Sequence, residues 1–180
     1  MYYVDGEMPI TLCRWIERVP HTKSNVLTQE SNLCCTYVDA LIRPLIENTD
    51  KDLFLVWSNV KVQERSDISG MVLVDSKFDY SISVGEVKGE DKNKDTHALL
   101  CDLMKIAYFS KEAIDEASFK GILGIHVVSF QVTLYVTTLL AEGLDTMFEV
   151  ASISLPSSLS QMKSFVANIE DILSIKAVYK

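Results

Sequence analysis

The chain has 180 residues, of which 48% are hydrophobic, and a formal net charge of −8. That length suits one domain with a sizeable core and is short for two independent domains with a linker. With 25 acidic against 17 basic residues, the composition argues against a protein that relies on non-specific attraction to duplex phosphates, because Lys and Arg supply that attraction.

The first 25 residues place Asp5, Glu7, Arg14 and Glu17 between short apolar pieces, which argues against a signal peptide. No apolar run reaches the roughly 18 residues of a membrane span without a charge. Cys13, Cys34, Cys35 and Cys101 form no Cys-X-X-Cys pair and no disulfide framework. Buried, reduced thiols in a cytosolic or nuclear protein, not a secreted one, are the expectation.

Residues Ile10 to Ile16 allow a short helix that Val19-Pro20 breaks. From Thr28, apolar positions at Leu33, Cys34, Tyr37, Val38, Leu41, Ile42, Leu45 and Ile46 recur at helical spacing, with Thr28 or Ser31 as cap and Pro44 as a kink or early end. Leu53 to Glu64 reads as a strand, its Trp57 packing on that helix.

The stretch from Ser66 to Lys92 reads as a hairpin. A turn over Asp75-Ser76-Lys77-Phe78-Asp79 would set Asp67 opposite Lys88 and Ser69 opposite Glu86. Strand alternation puts Ile82, Val84, Glu86 and Lys88 on one face, so an aliphatic row ends in a carboxylate and an ammonium. Charges at a core rim perturb one another and are a candidate functional site. A second Glu-X-Lys, Glu90-Asp91-Lys92, sits in a polar run and reads as a solvated turn.

A helix follows from about Lys94 to Ala117, with Leu99, Leu100, Leu103, Met104, Ala107, Tyr108 and Ile114 as its apolar stripe. Its His97 and Lys105, eight residues apart, lie on a similar face, where a cation would reach a phosphate. Gly121 to Val128 and Val132 to Leu139 form a second hairpin, and Met147 to Leu155 a further strand closed by Pro156. His126 reads as a packed core histidine, since no second His or Cys stands near it at metal spacing. A last helix spans about 157–174. The order helix, three strands, helix, three strands, helix predicts a single α/β (α+β) domain on a mixed sheet.

The constellation Asp67 … Glu86-Val87-Lys88 resembles the PD-(D/E)XK superfamily, with Ser66 where that family usually has Pro. The resemblance implies a restriction-endonuclease-like αβββαβ core at about 28–155. It also implies that Asp67, Glu86 and the Val87 carbonyl hold Mg²⁺ or Mn²⁺, and that Lys88 orients water or stabilises phosphorane charge. Glu30 matches the acid that the family's N-terminal helix often adds, although a first-turn Glu is common for dipole compensation alone. The pattern Glu30 to Val178 is also similar to uncharacterised mucoralean fungal proteins. They share the Gly-Glu-Val-Lys core, the hairpin matched by Gly124 to Val136 and the turn Ile153-Ser154-Leu155-Pro156.

Two functions follow as expectations. One is a metal-dependent nuclease acting on DNA or RNA, its hold on nucleic acid weakened by the acidic charge. The other is an inactive nuclease-fold protein that binds a protein partner or a second copy of itself. No glycine-rich phosphate loop stands among the 7 glycines, which disfavours a nucleotide enzyme of that type.

Overall fold

The computed structural model describes residues 13, 16–58 and 66–167. The expected helix at Ile10 to Ile16, the far end of the first strand and the final helix past residue 167 lie wholly or mostly outside them. Six strands form one sheet in sequence order: β1 (Leu53–Trp57), β2 (Ile68–Val74), β3 (Lys77–Lys88), β4 (Ile122–Val128), β5 (Gln131–Ala141) and β6 (Leu144–Ser154). All neighbours are antiparallel except β3 and β4, which are parallel. A parallel pair needs a crossover, and α3 (Thr96–Ala117) provides it.

Helices cover both faces. On one side α1 (Glu30–Asn32) widens into a π-helical stretch over Leu33–Val38 and continues as α2 (Asp39–Ile46). The wider turns keep Leu33, Tyr37 and Val38 together on the buried side. They pack with Leu41, Ile42 and Ile46 against Ile68, Val87, Ile125, Val127, Val132 and Leu134, the larger core. On the other side α3 meets the sheet through Ile106, Ala113 and Ile114 against Val84 and Ile122. A short α4 (Met162–Ala167) adds Phe165 to the larger core.

Several expectations about this frame are corrected. The β2/β3 turn has two residues, Asp75 and Ser76, both in the left-handed region (φ 48° and 63°), as a hairpin of this hand requires. Val74 then pairs with Lys77, and two bulges on β3 advance the register until Ser69 faces Val84 and Ile68 faces Gly85. Asp67 therefore stands across from Glu86 instead of Lys88, and Ser69 does not reach Glu86.

Thr28 does not cap the first helix. Its N–H and C=O both bond Glu90, at 2.8 Å to the side chain and 2.9 Å from the Glu90 N–H, and neither Thr28 nor Ser31 is the cap residue, which is Gln29 with no side-chain bond. Pro44 sits inside α2, two residues before its end. Trp57 meets the helix as expected, donating to Asp39 Oδ1 at 2.9 Å.

The α3 stripe is rotated from the expected one. Leu100, Met104 and Tyr108 are exposed, whereas Asp102, Ile106, Ser110, Ala113 and Ile114 are buried. The sheet beneath the first half of α3 ends in Glu86 and Lys88, so that half turns a carboxylate inward. The cysteines also differ from expectation: all four are free, but only Cys34 is partly buried and the others are exposed.

Close approach between β3 and β4 requires Gly85. A Cβ there would lie 2.6 Å from the Ile125 carbonyl oxygen and 2.8 Å from the Ile125 Cβ. Gly85→Ala is expected to lose about 1–3 kcal/mol of stability in urea unfolding, with the slope unchanged.

Candidate functional site

Four elements meet at the C-terminal end of β3. Ser66 fixes the approach to β2: its hydroxyl donates to the Ile68 carbonyl at 2.9 Å and lies 2.9 Å from the Ser69 hydroxyl. Asp67 follows, its carbonyl accepting from Ser58 N–H at 3.0 Å and its Oδ2 from Val87 N–H at 3.0 Å. The Asp67 carboxylate is thus bonded to the backbone between Glu86 and Lys88. Val87 itself points its side chain the other way, into the larger core.

Glu86 is 1% exposed. One oxygen, Oε2, accepts from Lys105 Nζ at 3.2 Å; the other, Oε1, is buried with no hydrogen-bond partner among the described residues. Burial and the nearby Asp67 carboxylate push the Glu86 acid up to about 7, against the pull of Lys105. Two carboxylates are therefore held side by side in a place that favours an added cation.

Lys88, two residues along the same face, reaches Asp102 of α3 at 3.1 Å. Asp102 also lies 3.8 Å from Lys105, so Glu86, Lys105, Asp102 and Lys88 alternate in sign between β3 and α3. Burial opposes the Lys88 charge, but Asp102, Glu30 and Asp67 together raise its pKa. Glu30 is thus near enough to act on the motif lysine. It also acts with Asp67 on Cys34, whose thiol is pushed up to about 12, chiefly by burial. The tether from Glu90 to Thr28 brings Glu30 there by fixing the start of the helix beside the exit of β3.

Two members of the cluster were not recognised in the sequence. Asp102 is 2% exposed; the signal for it was a carboxylate set among Leu99, Leu100 and Leu103, where burial needs a paired partner. His126 pairs with Glu86 across the parallel ladder and is buried, its Nε2 without a hydrogen-bond partner among the described residues. Burial lowers its pKa, with Lys88 adding to that and Asp102 opposing it. It is a core histidine as expected, but one facing the charged cluster. Its register with Glu86 follows only from the pairing of β3 with β4.

Of the three accessory candidates, Lys105 and Glu30 join the cluster and His97 does not. His97 is exposed, its Nδ1 3.8 Å from Cys101 Sγ, and eight residues correspond to about 12 Å along the helix from Lys105. The rival Glu90-Asp91-Lys92 is a 3₁₀ turn, with Glu90 engaged by Lys23 at 3.1 Å and by Thr28.

Among the described residues no group of three or more His, Cys, Asp or Glu is arranged to hold a metal ion. The donor set at Glu86 fits a hard divalent cation nonetheless. It offers two carboxylates, one with an orphaned oxygen, and Mg²⁺ and Mn²⁺ accept few protein ligands and complete their shells with water. Compared with models of known families, with curated proteins and with solved structures, the chain matches none. Among the described residues no helix is long and apolar enough to cross a membrane.

The Glu86 environment sets a pH dependence. A folded-state pKa raised from 4.5 to about 7 gives stability that is complete below pH 4.5 and lost as pH rises through about 7. In EDTA, the melting temperature of the parent relative to Glu86→Gln is expected to fall across that window and level off above it. Parallel curves for the two proteins across pH 4.5 to 8 would sink this account.

Proposed function

We propose that the chain is a metal-dependent phosphodiesterase on a restriction-endonuclease-like core, cleaving DNA or RNA. The observation that carries the reading is the placement of Asp67 beside Glu86, with Glu86 Oε1 orphaned and Lys88 on the same face. The element order supports it: a helix, three antiparallel strands, a helix, and a fourth strand parallel to the third.

In this reading Asp67, Glu86 and the Val87 carbonyl hold Mg²⁺ or Mn²⁺. Such an ion, when bound, supplies a hydroxide near neutral pH and a positive field over the phosphoryl oxygens. Lys88 keeps its charge through Asp102 and stands two residues from Glu86, placed to stabilise charge that develops on the phosphorane. Asp67 is fixed by the Val87 N–H, so its carboxylate is oriented without cost at the moment of binding. Lys105 offsets the charge of Glu86 until a stronger cation arrives.

A second reading is favoured by that same lysine. The Lys105 ammonium already occupies one Glu86 oxygen, Lys88 is already paired, and the chain carries net negative charge. A catalytically silent core that binds a protein partner or a second copy accounts for these facts. The exposed Leu139 and Leu140 on β5 and Leu144, Phe148 and Val150 on β6 give such a partner apolar surface.

Titration of Mn²⁺ separates the two readings. The parent is expected to bind saturably and to cleave labelled single- or double-stranded nucleic acid; Asp67→Ala/Glu86→Ala loses both, and Lys88→Ala keeps binding but slows cleavage by about 10²–10³-fold. Lys105→Gln is expected to bind Mn²⁺ on the order of tenfold more tightly, a change of ~1.4 kcal/mol. No saturable binding by the parent or by Lys105→Gln overturns the hydrolase reading.

A further inference from the structure

A cleft of about 490 Å³ opens at the end of the sheet beyond β4, within the range of about 300–1,000 Å³ common for small-molecule sites. It adjoins the candidate site: Val128, on its wall, pairs with Lys88, and Ser129 N–H donates to the Lys88 carbonyl at 2.7 Å. Ligands of open α/β sheets gather outside the carboxyl ends of the parallel strands, and β3 and β4 are the parallel pair of this sheet.

The wall is selective in charge. None of its twelve residues is acidic, in a chain with 25 acidic residues. Its cation is Lys23, whose ammonium has three N–H donors; one goes to Glu90 at 3.1 Å, and the head lies 5.4 Å from the centre of the Phe130 ring.

Neutral donors share the lining with it, and hydrogen bonds hold two of them in place. Gln131 donates to Ser152 Oγ at 2.8 Å and accepts from Ser154 Oγ at 2.7 Å. Gln161 Oε1 accepts from Ser157 N–H and Oγ at 2.8 and 3.1 Å, so the end it offers a ligand is its NH₂ donor. Ser129 and Ser164 add hydroxyls to the lining. An ammonium that keeps donors beyond its bond to Glu90, with amide N–H groups and hydroxyls and no carboxylate among the described lining residues, forms a phosphate-accepting surface with partners for sugar hydroxyls.

We infer that this cleft is a second binding site, for the phosphorylated pentose of a nucleoside monophosphate, either free or at the 5′ end of a strand. The cleft and its donors do not depend on Glu86; the choice of a nucleotide among phosphomonoesters rests on the hydrolase reading.

The test is calorimetric titration of 5′-AMP into the full chain in EDTA, where the candidate metal site is silent. Saturable binding is expected, weakened at least tenfold by Lys23→Gln and by Ser164→Asp, which puts a carboxylate into the lining, and unchanged in Glu86→Gln. Thermal melts check that each variant is folded. A 5′-phosphorylated tetrathymidylate that binds more tightly than 5′-AMP identifies a strand end as the ligand; equal or weaker binding identifies the free nucleotide. Ribose 5-phosphate binding as tightly as 5′-AMP overturns the nucleotide assignment. No saturable binding at millimolar 5′-AMP, or binding indifferent to both cleft variants, overturns the site, while Mn²⁺-dependent cleavage by the same protein would leave the hydrolase reading standing.

Discussion

The buried run of alternating charge between β3 and α3 is the constraint around which this half of the molecule is arranged. Glu86 and Asp102 are almost fully enclosed, and an enclosed carboxylate without a partner is several kcal/mol unfavourable. Lys105 and Lys88 offset that cost only if α3 lies directly over the end of β3. Gly124 permits the approach, since a Cβ there would meet Ile106 Cγ2 at 2.8 Å. The crossover helix, the parallel strand and the ion pairs therefore stand or fall together.

The opposite face answers a different requirement. Apolar packing of the π-helical stretch and α2 on Ile68, Val87, Ile125 and Val127 fixes the sheet register from the face opposite the Glu86–Lys105–Asp102–Lys88 run. Polar ties then locate the ends: Asp39 accepts from Arg43 and from Trp57, joining α2 to β1, and Glu90 clamps Thr28 beside the exit of β3. A strand whose two faces are so differently engaged holds Glu86 and Val87 in opposite environments, one charged and one dry. That division lets a carboxylate with an orphaned oxygen persist one residue from the hydrophobic core.

The hairpin shows how the site and its legibility are related. The Asp and the Glu-X-Lys were visible as a pattern of residue types with an aliphatic strand before them, and so was the helix that follows. Their mutual position was not, because the turn falls earlier in the chain than expected and two bulges on β3 then shift the pairing part of the way back. A sum over sequence positions cannot count bulges; they answer to twist and packing. The same limit hid Asp102 and His126, whose roles depend on which face of α3 and which edge of β3 they meet. The stripe of leucines on α3 pointed to the wrong face because apolar spacing alone does not know that the sheet beneath is charged.

By itself the sequence determined the element order, the two-faced character of β3 from Val84 onward and the residue types at its end, since these rest on local periodicity and chain connectivity; the bulge before Ser83 moves Ile82 to the face of Val87. The tertiary structure decided which charges face each other and which surface of α3 stays in water. Those outcomes depend on distances between segments far apart in the chain, and pairwise electrostatics falls off with distance in space, not along the sequence.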